Sequence, residues 1–178
     1  MKFWWIDEPL VLGGAIPTIW QIKGLYRIGF RAIISLIEEM EKAPSYNVEA
    51  VKAMGFEHFS ISIRDFSLPS LEDFEVILTA LDWALGQGKV LVHCQDGCGR
   101  TGTVGAAYWI YKGVSVKEAV EKIRQSNPQV IETVECEKSL YEFKTVIESP
   151  QHMGEVLPVG TDTEPRLLGQ SVIMFGGF

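Results

Sequence analysis

The sequence predicts a layered α/β fold. Short apolar runs with strand patterns alternate along the chain with longer segments whose apolar residues recur at helical spacing. The run 32–37, Ala-Ile-Ile-Ser-Leu-Ile, is almost continuously apolar, as in a parallel strand covered on both faces. The 178 residues, 47% hydrophobic and 22% charged, suffice for one ordinary globular domain with a full-sized core.

Local signals bound the predicted elements. Thr18 has a side chain that caps a helix N-terminus, Ser115 with Glu118 forms a capping-box pattern, and Gly29 and Gly55 are typical helix ends. The segment after Arg100 is apolar almost all round, which predicts a central, buried helix. In chain order, the sequence predicts strands over 3–6 and 9–12 before a Gly13-Gly14 break, a helix over 18–28, a strand over 32–37, a helix over 48–54, a strand over 59–63, a helix over 71–85, a strand over 89–93, and helices over 101–112, 115–126 and 133–147.

Composition excludes several classes of protein. The net charge of -7, without a Lys/Arg-rich run, argues against a nucleic-acid partner. Acidic residues interrupt the apolar N-terminus too early for a signal peptide, and no segment approaches the length of a membrane span, so we expect no membrane partner. Two of the three cysteines lie in one motif and the three histidines are scattered, so we expect a reducing, cytoplasmic compartment and no metal site.

The C-terminal end differs in composition from the rest of the chain. We expect one domain over 1–148, followed by a segment over 149–178 that is rich in Pro, Gly and polar residues and apolar at its end. That segment is interpreted as a flexible tail, with a docking arm as the alternative.

The segment 93–102, His-Cys-Gln-Asp-Gly-Cys-Gly-Arg-Thr-Gly, lies where a predicted strand turns into a helix. Backbone N–H groups at a helix start favour an anion, and Gly97 and Gly99 permit the backbone angles that turn such groups inward. The same field favours the thiolate of Cys94, and the planar fork of Arg100 fits two phosphate oxygens. The pattern predicts a phosphate site with a thiolate nucleophile. The alternative, a buried structural cysteine, would not explain why two glycines and Arg100 follow Cys94 at these positions.

This segment resembles the H-C-x5-R-[S/T] signature of the cysteine-dependent protein tyrosine phosphatases. Over about residues 3–147 the chain resembles the small atypical dual-specificity phosphatases, which implies a central, mostly parallel sheet flanked by helices. The resemblance implies a protein phosphatase that acts through a phosphocysteine intermediate and without a cofactor. Its substrate is phosphotyrosine, either alone or together with phosphoserine and phosphothreonine. The residues that the resemblance assigns to substrate phosphate are Gln95, Asp96, Gly97, Cys98, Gly99 and Arg100.

The reaction also needs an acid for the leaving group. Asp65 follows a predicted strand and precedes a Pro and a long helix, as the acid does in the family that the chain resembles. The alternative is that Asp65 only pairs with Arg64 or caps a turn. Asp73 is a rival acid, but its position fits capping at a helix N-terminus better.

Three further residues receive expected roles from the resemblance. Glu132 would activate the water of the second step, or else only favour the N-terminus of the last helix. Thr101 would donate a hydrogen bond to the Cys94 sulfur, or else only cap its helix. His93 would fix the loop through hydrogen bonds to the backbone and tune the thiol, or else be only a structural histidine at the end of a strand.

Some residues depart from the family pattern. Asp96 places an acid beside the phosphate, which costs affinity unless a cation offsets it. Cys98 raises the hypothesis of a reversible disulfide with Cys94, although strain in so small a ring favours a plain loop residue. Asn127 and Gln129 replace an Arg and a Gly that are usual there, which weakens the assignment of Glu132.

Two other functions compete with a protein phosphatase. The same signature serves phosphoinositide and RNA 5′-phosphate phosphatases, whose loops often carry lysines that Gln95, Asp96 and Cys98 do not supply. A phosphate-binding pseudophosphatase is the other alternative.

Overall fold

The computed structural model describes residues 3–38, 45–65, 67–131 and 133–149. In these ranges one five-stranded sheet is covered by six helices. The elements are β1 (Phe3–Asp7), β2 (Val11–Gly14), α1 (Ile19–Arg27), β3 (Phe30–Ile37), α2 (Val48–Ala53), β4 (Glu57–Ile63), α3 (Leu71–Leu85), β5 (Lys89–His93), α4 (Gly99–Tyr111), α5 (Val116–Ser126) and α6 (Val134–Ile147).

The sheet has the strand order β1-β2-β5-β3-β4. Only the β1–β2 pair is antiparallel, and β2, β5, β3 and β4 run parallel to one another. The predicted fold, a mostly parallel sheet flanked by helices, is therefore confirmed. In the register of the sheet His93 pairs with both Gly14 and Ser35, so the carboxyl ends of three strands meet directly before Cys94.

The strand side chains divide between two cores. Val90 and Val92 face a large core that contains α4, whereas Leu91 between them faces a smaller core with α1 and α2. This two-sided burial explains why the central strands are nearly continuous apolar runs. As predicted, α4 is buried almost all round.

Capping side chains set several of the predicted helix starts. Thr18, Ser70 and Ser115 each accept a hydrogen bond from the backbone N–H three residues on and form capping boxes. Positive φ angles at Gly29 and Gly55 follow the ends of α1 and α2.

Several predicted boundaries are wrong. Strands β3 and β4 each begin two residues before the predicted start, at Phe30 and Glu57, and β2 covers Val11–Gly14 instead of 9–12. Gly13 and Gly14 end β2 rather than interrupt the chain, because both pair with β1 and β5. The indole ring of Trp4 covers Gly13 and would lie 2.9 Å from a Cβ there. The helix expected to begin at Thr101 begins at Gly99.

Part of the expected organisation lies beyond the described ranges. Apart from Ser149, the segment 149–178, expected to be a tail or arm, is outside them. None of the helices that the structure describes is both long and apolar enough to cross a membrane.

Candidate active site

Cys94 immediately follows β5, at the edge of the sheet where the parallel strands end. The cysteine is 3% exposed, and the Gly97 N–H donates to its Sγ over 3.3 Å. A backbone N–H directed at sulfur stabilises negative charge there. The surroundings of Cys94 therefore suit a thiolate.

Gly97 lets the loop after Cys94 pack against the end of β2. It has a φ of 75°, and a Cβ on it would lie 2.4 Å from the Ala15 nitrogen. Trp4 Nε1 donates to the Gly97 carbonyl over 3.0 Å, and the Ile16 N–H donates to the Gln95 carbonyl over 3.4 Å. Only glycine meets both the backbone angle and the close approach.

Gly99 does not have the unusual backbone angle that the sequence suggested. It is the first residue of α4, its φ is not positive, and a Cβ on it would meet nothing within 4 Å. Cys98 occupies the N-cap position, and its side chain makes no capping hydrogen bond. The first N–H groups of α4 thus lack a side-chain cap, as in an anion-binding helix start.

Arg100 is held by the ends of two strands. Its Nη1 donates to the carbonyl of Leu36 over 3.2 Å and to that of Ile63 over 2.8 Å. Its Nη2 lies 3.0 Å from Asp65 Oδ1, and the Arg100 side chain is 4% exposed against 45% for Asp65. The structure therefore brings Arg100 and Asp65 together beside the loop, rather than pairing Asp65 only with Arg64.

Asp73, the rival acid, is engaged at a helix start. Its Oδ2 accepts hydrogen bonds from the Ser70 backbone N–H and hydroxyl, both over 2.8 Å. This is the capping role that the sequence favoured.

The other loop side chains have different surroundings. Thr101 is fully buried in the first turn of α4, so it is not the cap of that helix. No described residue hydrogen-bonds its hydroxyl, so the expected hydrogen bond to the Cys94 sulfur is not formed in this structure. Gln95 Oε1 likewise has no partner among the described residues. Asp96 is exposed, and the Cys98 thiol donates to the Asp96 carbonyl over 3.7 Å.

Glu132 lies outside the described residues, and the segment before it packs on α4. A Cβ on Gly102 would lie 2.6 Å from Val130 Cβ, so this segment packs closely on α4. Arg124 Nη2 donates to the carbonyl of the buried Ile131 over 2.6 Å. Val130 therefore lies against the first turn of α4.

His93 is completely buried at the end of β5. Its Nδ1 lies 3.4 Å from the Cys94 carbonyl, and its Nε2 lies 2.7 Å from the Tyr46 hydroxyl. Burial lowers the pKa of His93 to about 4, so the ring is neutral near pH 7. Sequence reasoning missed Tyr46, because no local motif marks a residue 47 positions away in the chain.

In the described part of the chain, no group of three or more His, Cys, Asp or Glu side chains is arranged to hold a metal ion.

A family model and two curated proteins that are similar to this chain are all described as phosphatases or as containing a phosphatase domain. A family model described as "Tc-R-P: Polymorphic toxin system, DSP-PTPase phosphatase" matches residues 13–114. The chain is 32% identical over 152 residues to the phosphatidylglycerophosphate phosphatase PTPMT2 of Arabidopsis thaliana, covering 83% of this chain and 65% of that protein. It is 31% identical over 123 residues to the mouse protein tyrosine phosphatase domain-containing protein 1, covering 68% of this chain and 16% of that protein.

A solved structure is also similar. The crystal structure of Tk-PTP in the active form shares 32% identity and a TM-score of 0.73, covering 80% of this chain and 96% of that one. The chain thus spans nearly all of this solved neighbour, but less than two thirds of each of the two relatives above.

Proposed function

Because this chain belongs to the DSP-PTPase phosphatases, within the cysteine-dependent protein tyrosine phosphatase superfamily, we propose that it hydrolyses phosphate monoesters with Cys94 as nucleophile. The observation that carries the proposal is the arrangement at the sheet edge. The buried Cys94 sulfur accepts a hydrogen bond from a backbone N–H over 3.3 Å. The buried Arg100 lies beside the loop, 3.0 Å from the half-exposed Asp65. The three groups are those that thiolate-mediated phosphoryl transfer requires.

The proposed first step transfers the phosphoryl group to sulfur. The Cys94 thiolate attacks phosphorus, a P–S bond forms, and the P–O bond to the leaving group breaks. Asp65 gives its proton to the leaving oxygen, so the product departs as a neutral alcohol or phenol. Arg100 and the loop amides hold the other phosphate oxygens while negative charge redistributes.

The proposed second step hydrolyses the phosphocysteine. Water attacks phosphorus, the P–S bond breaks, and inorganic phosphate and the Cys94 thiolate are released. Asp65, deprotonated in the first step, accepts the one proton that water loses and so returns to its acid form, while Glu132 orients that water. The Thr101 hydroxyl, which has no partner among the described residues, donates a hydrogen bond to the departing sulfur. The two steps balance without a metal or an organic cofactor.

The contact between Arg100 and Asp65 has a role in this cycle. Because Nη1 of Arg100 is held by two strand carbonyls, a bound phosphate dianion competes with Asp65 for the rest of the guanidinium. Binding of phosphate would displace the carboxyl group from Arg100 toward the leaving group. Asp65 thus pairs with Arg100 when no substrate is bound, and it acts as the general acid when substrate is bound.

We propose phosphorylated protein as the substrate and the cytoplasm as the compartment. The loop side chains Gln95, Asp96 and Cys98 supply no cation for a second phosphate, and the three cysteines, all within the described residues, form no disulfide. A lipid phosphomonoester is the second candidate, favoured by the 32% identity to a phosphatidylglycerophosphate phosphatase.

Turnover of para-nitrophenyl phosphate, a phosphotyrosine peptide and phosphatidylglycerophosphate, each with chelator present, tests the proposal. We expect Cys94→Ser to abolish turnover and Asp65→Asn to flatten the dependence of kcat on pH, while Cys136→Ser, a matched control remote in sequence, retains activity. The ratio of kcat/KM between peptide and lipid decides the substrate class. A folded wild-type protein that turns over none of the three would overturn the proposal.

A further inference from the structure

We propose that Tyr46 and His58 are positioning residues for the nucleophile loop, acting on Cys94 through a chain of hydrogen bonds that passes through His93. This inference rests on the proposed function, because it assigns the chain of contacts to the loop that carries the nucleophile.

The contacts form a continuous path across the sheet. Tyr46, just before α2, has its hydroxyl 2.7 Å from His93 Nε2 and 2.9 Å from His58 Nε2. His58 Nδ1 lies 3.5 Å from the Ser60 hydroxyl, and His93 Nδ1 lies 3.4 Å from the Cys94 carbonyl. The path thus links β4 to the first residue of the loop.

The direction of each hydrogen bond follows from its neighbour. A carbonyl only accepts, so His93 Nδ1 carries the proton and its Nε2 is an acceptor in the neutral ring. The Tyr46 hydroxyl therefore donates to His93, and its oxygen accepts from His58 Nε2–H. With its proton on Nε2, the His58 ring offers Nδ1 as an acceptor to the Ser60 hydroxyl, 3.5 Å away.

Burial makes this arrangement specific. Tyr46 is 6% exposed and His93 is fully buried, so an unpaired hydroxyl or ring nitrogen there would be costly. Ser35 also hydrogen-bonds Tyr46, and burial raises the pKa of Tyr46, which keeps its hydroxyl protonated. Burial lowers the pKa of His58 to about 4, which keeps that ring neutral near pH 7.

The geometry of the peptide bond explains how the path acts on the loop. In a trans peptide the carbonyl and the following N–H point to opposite sides. A hydrogen bond from His93 to the Cys94 carbonyl therefore fixes the direction of the Gln95 N–H as well. Orientation of loop N–H groups determines how well the loop stabilises a thiolate and a phosphate.

Four variants separate positioning from folding. Tyr46→Phe and His58→Leu remove the hydrogen bonds, His58→Gln keeps a side-chain donor, and Tyr141→Phe removes a hydroxyl from an exposed ring as the matched control. The readouts are kcat and KM for para-nitrophenyl phosphate, the pH dependence of Cys94 alkylation by iodoacetate, and the free energy of unfolding in urea.

We expect Tyr46→Phe and His58→Leu to lower kcat about 10-fold, with a smaller change in KM. Replacing a residue that only orients a reacting group commonly has an effect of this size. Both should move the alkylation profile of Cys94 to higher pH, and His58→Gln should restore most of each effect. Because alkylation does not depend on turnover, an inactive wild type would reject the proposed function and still leave this inference tested. Profiles and kcat values equal to wild type in both disrupting variants would overturn it, as would equal losses in the Leu and Gln variants.

Discussion

At the scale of single residues, the site is organised around a buried guanidinium. Arg100 is 5% exposed, and a charge at that depth is tolerated only when its donors are paired. The carbonyls of Leu36 and Ile63 accept hydrogen bonds from Nη1, and the Asp65 carboxylate forms an ion pair with Nη2. The arginine is consequently held in position before any phosphate arrives.

Asp96 gives a prediction about substrate charge. Its exposed carboxylate lies in the proposed phosphate loop, and none of the ion pairs among the described residues includes it. We expect Asp96→Asn to raise kcat/KM for para-nitrophenyl phosphate about 2- to 5-fold at low salt, because it removes repulsion from a dianion. The measurement is steady-state kinetics at low and high ionic strength.

Phosphotyrosine peptides test whether the Asp96 carboxylate also affects the choice of residues beside the phosphorylated tyrosine. For phosphotyrosine peptides, Asp96→Asn should reduce any preference for an arginine over a glutamate beside the phosphorylated residue. Glu121→Gln, which removes an exposed charge from α5, should leave the preference unchanged. A preference that is the same in wild type and Asp96→Asn would contradict the predicted effect of the carboxylate.

At the scale of elements, the structure requires glycine at position 97 but not at the nearby position 99. Gly97 combines a φ of 75° with a close approach to the end of β2, whereas Gly99 is helical and has open space where a Cβ would be. The sequence pattern alone gave them the same role. The difference depends on contacts with Gly14 and Ala15, far away in the chain.

These glycines form a matched pair for a stability experiment. We expect Gly97→Ala to lower the free energy of unfolding by about 2 kcal/mol or more, because the new Cβ meets backbone atoms and the φ is strained. Gly99→Ala should be neutral or stabilising by up to about 0.5 kcal/mol, since alanine favours a helix. Urea titrations measure both changes, and similar losses for the two variants would show that the loop is not anchored to β2.

Most elements were predictable because their signals are local. Thr18 and Ser115 act as caps within three residues, and the apolar runs of β3 and β5 report burial on both faces. The end of β2 was not predictable, because the Trp4 ring that covers Gly13 comes from a neighbouring strand. The same reason hid Tyr46 and His58, whose relation to His93 exists only after the sheet has formed.

At the scale of the whole molecule, the parallel sheet brings distant parts of the chain to one edge. Leu36, Ile63 and His93 lie at or near the ends of adjacent strands, and the loop and Arg100 are built on those ends. Alternating strands and helices indicated such a sheet, and the motif indicated which edge carries the chemistry. The strand order, with β5 in the centre, comes from the structure.

Burial of His93 at the end of β5 gives a prediction for overall stability. Its pKa is lowered to about 4 in the fold, while a histidine in the unfolded chain titrates near 6.5. Between these values the unfolded chain binds more protons, so the stabilising contribution is complete above about pH 6.5 and is lost as the pH falls toward 4. We expect this one group to reduce the free energy of unfolding by about 2 kcal/mol between pH 7 and pH 5.

Urea unfolding of wild type and His93→Asn at both pH values isolates this contribution from that of the carboxylates, which the two proteins share. The variant should be less stable at pH 7 and should lose less stability on acidification, because asparagine binds no proton. Imidazole NMR signals of the wild type provide a second measurement that does not depend on the variant folding. A His93 ring that titrates near pH 6.5 in the native protein would contradict the burial of this histidine and with it the neutral tautomer that orients the Cys94 carbonyl.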